Sequence, residues 1–139
     1  MDSRNQMLCG YYAFYGYTFQ RANLVLISES IRQDGLLSLC APAGLDKPIP
    51  FFTLVYPIQI YEYIKYTGDQ SILKETQKTL ILIKKKFEDR LEDNGLIPAF
   101  DPDKGYWNFY EWTEGSDHCG DSISDVRGSE EHTSELQSQ

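Results

Sequence analysis

Apolar residues recur at helical steps in three stretches of the chain. Between residues 17 and 32, Phe19, Leu24, Ile27 and Ile31 follow one another mostly three or four residues apart until Asp34-Gly35, which predicts a helix beginning near Met7 and ended by a glycine cap. A second series, Phe51, Leu54 or Val55, Ile58, Tyr61 and Ile64, runs to Thr67-Gly68, with Pro57 either kinking that helix or marking its first turn. Asp69 then stands where a helix N-cap is expected. The third series is the most regular. Leu73, Thr76, Leu80, Ile83, Phe87 and Leu91 line one face with Lys and Glu opposite, and Asp93-Asn94-Gly95 ends it. No stretch sustains the alternation of a strand, although "GLIPAF" and "GLLSLCAP" suit short extended pieces. The pattern predicts an all-α chain.

Two of the turn segments match each other. "DGLLSLCAP" (34–42) and "NGLIPAFDP" (94–102) align without a gap, pairing Gly35 with Gly95, Leu36 with Leu96 and Pro42 with Pro102, 60 residues apart. Each follows a predicted helix, so the unit reads as an αα-hairpin, the element from which solenoids and helical toroids are assembled. About two units fit in the chain.

Composition narrows the function classes. With 139 residues, 41% of them hydrophobic and 14% aromatic, the chain has the apolar content to fill a core. A formal charge of -8 and a pI near 4.7 give no footprint for nucleic acid or an anionic membrane, and Lys84-Lys85-Lys86 reads as a solvated helix face. No secretory or spanning segment is visible, since the longest early aliphatic run, Leu24 to Ile27, is four residues. Cys9, Cys40 and Cys119 are odd in number and widely spaced, which fits reduced thiols in the cytoplasm, with Cys9 and Cys40 expected as small buried hydrophobes. No cofactor or metal is expected. "SDHCGD" (116–121) holds possible ligands without a second cluster, and reads as a polar loop. His118 is then the single histidine open to acid–base chemistry once the tail containing His132 is set aside.

That tail, residues 128–139, has no apolar periodicity and is expected to be disordered. Its "SEEHTSELQS" looks like the conceptual translation of a sequencing-adapter oligonucleotide. The genuine domain is therefore expected to occupy residues 1–127 and to be cut short near Arg127.

One segment carries unusual chemistry. "YWNFYEW" (106–112) packs five aromatic residues, a carboxylate and an amide into seven positions, which suits either a core layer or a surface on which sugar rings stack. Together with "DSRNQMLCGYYAF", "DGLLSLCAP" and "IPFFTLVYPIQIYEYIKYTGD", in this order, it resembles the catalytic domain of α-L-rhamnosidases, six-hairpin glycosidases with an (α/α)6 toroid. The similarity spans roughly residues 2–115.

The resemblance implies about two αα-hairpins of that toroid and a terminal α-L-rhamnoside as carbohydrate substrate. It also implies an inverting mechanism, in which one carboxylic acid protonates the leaving oxygen and a second carboxylate activates water, about 6.5–9.5 Å away. Asp2 and Ser3 match the start of the family's first motif, and Arg4 matches its arginine only with residues deleted between them; Asp2 and Arg4 are expected to touch the sugar, as are Trp107, Glu111 and Trp112 of the aromatic segment. The acid does not match. Asn5 or Gln6 stands where the family has Glu, and neither amide delivers a proton as a carboxylic acid does. The base is expected on a later hairpin, so this stretch by itself is expected to be inactive. The rival reading is a non-catalytic α-helical repeat protein that binds a peptide or protein partner through the aromatic loop. A third reading keeps the six-hairpin fold with a different sugar specificity.

Overall fold

The computed structural model describes residues 2–41, 43, 45, 47–110 and 117–118. Four helices dominate: α1 (Asp2–Ala13), α2 (Thr18–Glu29), α3 (Pro50–Thr67) and α4 (Leu73–Glu88). A two-residue strand pair, β1 (Asn108–Phe109) and β2 (Asp117–His118), joins the segments beyond them in antiparallel register, Asn108 opposite His118. The chain is mostly helical, as the periodicity predicts, but the strand pair is a correction: "SDHCGD" contributes a strand rather than a simple polar loop.

The first predicted helix is two. α1 starts at Asp2, and the chain breaks over residues 14–17 before α2 begins. The Phe14 N–H donates to the Gly10 carbonyl at 3.1 Å, and the Arg21 N–H opens the next helix on the Tyr17 carbonyl at 3.0 Å. Gly10 lets the two helices close on each other: a Cβ there would lie 2.5 Å from the buried Gln20 amide nitrogen. In "GYYAFYGYTF" the aromatics of both helices fall at helix-compatible steps, so periodicity passes through the break and Gly16 is its single signal.

α2 also ends earlier than predicted, at Glu29, and Gly35 shapes a separate turn instead of capping the helix. In that turn Arg32 N–H donates to the Leu36 carbonyl (2.8 Å), Gly35 N–H to the Arg32 carbonyl (3.1 Å), and Leu36 N–H to Asp34 Oδ1 (3.1 Å). Sixty residues later the same bonds recur. Glu92 N–H donates to Leu96 (2.9 Å), Gly95 N–H to Glu92 (2.9 Å), and Leu96 N–H to Asn94 Oδ1 (2.8 Å). Both glycines have left-handed φ, 84° and 81°, a region that only glycine adopts without strain. The repeat seen in sequence is thus a repeat of geometry.

Surroundings differ between the two copies. Leu36 is fully buried beneath the C-terminal half of α4, whereas Leu96 is 51% exposed. Asp34 has further partners that Asn94 lacks, an ion pair with Arg32 at 3.2 Å and the Tyr106 hydroxyl at 3.2 Å. Burial alone would raise the Asp34 carboxyl, yet Arg32, the Leu36 N–H and Tyr106 together hold it below its ordinary range.

α3 begins with Pro50 in its first turn and ends on Gly68, whose φ of 72° lets its N–H reach the Ile64 carbonyl at 2.8 Å. Pro57 lies inside the helix. Of the predicted face, Val55 is buried and Ile64 packs against the core, but the other positions are exposed. Tyr56, Ile60 and Tyr63 point into the core with Thr53 and Gln59, while Phe51, Leu54, Ile58 and Tyr61 lie on the exposed side. This helix is apolar nearly all round, so helical spacing fits either face. On the inner face the buried hydroxyl is satisfied: Tyr56 donates to the Leu24 carbonyl of α2 at 2.8 Å.

Asp69 caps the next helical segment as predicted, accepting from the Ser71 N–H at 2.9 Å. A 3-10 turn, Gln70–Ile72, then leads into α4, whose Thr76, Thr79, Ile83 and Phe87 are buried. Leu91, predicted for the same face, falls beyond the helix and is exposed. Lys84 is solvated, paired with Glu88 at 3.3 Å, but Lys86 is half-buried over the Phe100 ring at 5.7 Å, so the basic run is not wholly a solvated face. Between α2 and α4 the Ser28 hydroxyl donates to the Thr79 hydroxyl at 2.9 Å, a satisfied polar contact inside an apolar layer. Cys9 and Cys40 are free and exposed, which corrects their expected burial.

Asp69 also joins α2 to α3. The Ser71 hydroxyl (2.6 Å) and the Tyr63 hydroxyl (2.9 Å) donate to it, and Arg21 reaches it at 3.4 Å while also pairing with Glu75. These bonds, Ser71 first, hold its carboxyl down to about 2. A carboxyl depressed by folding stabilises the native state above its unfolded pKa of about 4 and loses that contribution as pH falls through about 2. The expected result is a denaturation midpoint that falls between about pH 4 and 2, with a shallower fall in Asp69→Asn; urea titrations at stepped pH measure both.

Candidate functional site

A cleft of about 470 Å3 opens between the start of α1, the middle of α2, the segment 37–41 and the N-terminal half of α3. Its apolar wall includes Ile27, Leu37, Ile49 and Phe52, and its polar positions include Asp2, Ser3, Asn23, Thr53 and Gln59. Apolar walls with a few convergent polar groups are the usual composition of a small-ligand site.

The hydrogen bonds of the lining are unevenly distributed. Tyr56 O–H is committed to the Leu24 carbonyl (2.8 Å) and the Ser38 hydroxyl to the Ser30 carbonyl (3.3 Å), while Thr53 Oγ1 accepts from the Leu37 N–H (3.1 Å). By contrast, Gln59 Oε1 and Asn23 Oδ1 are buried oxygens with no hydrogen-bond partner. Gln59 is 4% exposed, so its oxygen is cut off from bulk water as well. Tyr11 OH, Gln20 Oε1 and Arg90 Nε, none of them at the cleft, are buried without a partner too, so these atoms do not single out the cleft.

The residues expected from sequence are divided by the fold. Asp2, exposed at the start of α1, lines the cleft and is the single charged residue of its lining among the described residues. Arg4 is turned elsewhere: its guanidinium makes a two-pronged ion pair with Glu62 of α3, at 3.0 and 2.5 Å, and that carboxylate raises the Arg4 pKa. Asn5 and Gln6 are exposed on α1 and do not line the cleft. Glu111 and Trp112 lie outside the described residues, as do Cys119 and the whole of 121–139.

The aromatic segment is largely a clamp. Its Asn108 is buried and bonds the Phe100 backbone in both directions, accepting from its N–H at 3.0 Å and donating to its carbonyl at 2.6 Å. Phe109 is buried against Phe52, and Tyr106 packs edge-on to Phe100 at 5.2 Å. Trp107 is half-buried against Phe109, with Lys47 5.2 Å from its ring and its backbone N–H donating to the Pro48 carbonyl at 3.1 Å; it does not line the cleft. Tyr110 is exposed and tilts against Phe51, continuing the outer apolar stripe of α3.

Gln59 and Asn23 were missed by sequence reasoning. The signal available was weak, one amide among several polar residues of its helix in each case. Among the described residues no group of three His, Cys, Asp or Glu is placed to hold a metal, and no helix is long and apolar enough to cross a membrane. In comparisons with known proteins, no family model, no curated protein and no solved structure matches this chain.

Proposed function

We propose that the chain is part of the catalytic domain of an α-L-rhamnosidase-like glycoside hydrolase, about two αα-hairpins of an (α/α)6 toroid, with the cleft beside Asp2 receiving the terminal sugar. The observation that carries this reading is the cleft itself: an exposed carboxylate at its mouth, polar side chains among its lining residues and apolar walls, which together suit a ring with hydroxyls on one edge and hydrocarbon on the other. The geometric repeat of the two Asx-Gly-Leu turns supports a hairpin architecture. Exposed free thiols at Cys9 and Cys40 suit a reducing cytoplasm.

In the intact protein an inverting hydrolase needs an acid on the leaving-group side and a base about 6.5–9.5 Å from it. At the expected acid positions this chain offers Asn5 and Gln6, which have no carboxylic proton to give. The chain alone is therefore expected not to hydrolyse glycosides. The test is to read the source locus through codons 125–128, express the uninterrupted frame, and assay it on aryl α-L-rhamnosides and other aryl glycosides. Release of aryl alcohol from the rhamnoside supports the proposal, release from a different glycoside moves the specificity, and no release from any sinks the enzymatic reading.

The non-catalytic repeat protein retains one specific observation. Phe51, Leu54, Ile58, Tyr61 and Tyr110 form an apolar stripe outside the core, the kind of surface a partner covers. If the uninterrupted frame adds further regular hairpins and no inward carboxylate, that reading replaces the enzyme.

A further inference from the structure

Helices α2 and α3 carry apolar residues on the sides that face away from the core as well as on the sides that face it. The two helices meet where Leu24 of α2 and Tyr56 of α3 share the core and the Tyr56 hydroxyl bonds the Leu24 carbonyl. At 3.6 residues per turn, Phe19, Ala22, Leu26 and Glu29 lie within about 40° of the side of α2 opposite Leu24, and all four are exposed. Phe51, Leu54, Ile58, Tyr61 and Lys65 lie within about 40° of the side of α3 opposite Tyr56, and they are exposed too. The two stripes therefore leave opposite sides of the molecule. Both step by three, four and three residues, the spacing with which one helix packs along another. Each also ends, toward its helix C-terminus, on a charge of opposite sign, Glu29 on α2 and Lys65 on α3. Among the described residues neither of these charges makes an ion pair.

We infer that a second copy of this chain covers the α3 stripe with its own α2 stripe, the two helices running parallel, so that copies join head to tail. In that register Phe51 meets Phe19 of the second copy, Leu54 meets Ala22 and Ile58 meets Leu26, while Glu29 accepts from the Tyr61 hydroxyl and pairs with Lys65. The charges decide against the other pairings. Two α3 stripes bring Lys65 toward a like charge in either direction, Lys65 when parallel and Lys47 when antiparallel. Two α2 stripes set Glu29 on Glu29 when parallel and on Phe19 when antiparallel, and reversing α2 against α3 sets it on Phe51. Only the parallel α2 on α3 closes the seam with opposite charges. Because the stripes lie on opposite sides, each contact leaves one of them open on either copy, so the assembly extends instead of stopping at a two-fold dimer. No residue of the seam lines the cleft, and the inference stands apart from the proposed activity.

Sedimentation velocity over a concentration series tests it. The mean mass of the unaltered chain is expected to rise with concentration past twice the 16.0 kDa of one copy. Leu26→Glu blocks the α2 stripe and Ile58→Glu the α3 stripe, each by placing an unpaired carboxylate in the seam, and each alone is expected to weaken association at least about a hundredfold. Mixed in equal amounts, the two variants are expected to form dimers and nothing larger, since one intact α2 stripe then meets one intact α3 stripe. Both positions face outward, so the fold is expected to survive; Ala22→Glu and Leu54→Glu serve where either variant does not fold. Lys65→Glu is expected to weaken association about fivefold, and Glu29→Lys in the same chain to restore it.

The inference is overturned if the unaltered chain stays at the mass of one copy throughout, which would leave both stripes to helices of a longer polypeptide. It is overturned equally if either variant alone associates as the unaltered chain does, because like stripes would then be pairing, or if the mixture of variants stays monomeric.

Discussion

Replacing Tyr56 by alanine is expected to destabilise the protein by about 3–5 kcal/mol, the usual cost of truncating a buried aromatic side chain. The ring is 1% exposed and belongs to the central cluster with Leu24, Ile60, Tyr63 and Ile83. Its hydroxyl donates to the Leu24 carbonyl of α2 at 2.8 Å, so truncation removes the ring's contacts and this hydrogen bond in the same step. Because Tyr56 also lines the cleft, the void opens into it and the walls have little to collapse onto. Domains of this size are typically stable by about 5–15 kcal/mol, so a loss of that order leaves the variant marginal at 37 °C. Tyr56→Phe isolates the hydrogen bond and is expected to cost about 1 kcal/mol. Urea midpoints for the two variants measure the difference; equal losses would show that the ring contributes nothing beyond its hydroxyl.

The same residue sets an alkaline limit. Burial pushes the Tyr56 phenol up to about 12, and burial followed by the nearby Glu62 carboxylate does the same for Tyr11. A pKa raised by folding gives stability that is complete below the unfolded value of about 10 and is lost as pH rises through about 12. Stability is therefore expected to decline across that window, and less steeply in Tyr56→Phe.

Gly35→Ala is expected to be the most costly change in either repeated turn. Two effects act together: alanine at φ 84° costs about 1–2 kcal/mol, and the new Cβ would stand 3.1 Å from Lys86 Cβ and 3.5 Å from the Leu82 carbonyl oxygen. Those atoms belong to the C-terminal half of α4 and cannot move without shifting the helix backbone, which adds about 1–3 kcal/mol of overpacking. Gly95 is the internal control, because its φ is 81° but nothing lies within 4 Å of a Cβ there. Gly95→Ala should therefore show the backbone strain alone. The gap between the two variants, in melting temperature or urea midpoint, measures how tightly α4 closes on the first turn; no gap would mean that the contact is not made in solution.

These predictions fall where sequence and structure part company. Asp69 and Gly68 were legible because helix caps require particular residue types; Gly35 and Gly95, read as helix ends, mark separate left-handed turns instead, although the Asx-Gly-Leu match does carry the 60-residue period. The break at residues 14–17 was not legible, since aromatics on both sides keep a helical rhythm through it. The inner face of α3 was not legible either. A helix apolar on most sides offers more than one stripe at helical spacing, and which one is buried is set by contacts with other helices, such as the Tyr56 bond to α2, that periodicity does not contain. Of the candidate site, Asp2 came through the resemblance, whereas Gln59 and Asn23 became visible only with burial and hydrogen bonding in view, because an amide inside a helix leaves no periodic trace. The aromatic segment was half legible: it is a core layer at Asn108 and Phe109 and a surface at Tyr110, and its composition admitted both.

Location of the sugar is the point on which function turns. Crystals of the chain soaked with L-rhamnose are expected to show a ring in the cleft beside Asp2, its hydrocarbon edge against Ile27 and Phe52. Density for the sugar on Trp107 and Tyr110 with the cleft empty, or no bound sugar at all, would contradict the assignment of this cleft as the sugar pocket.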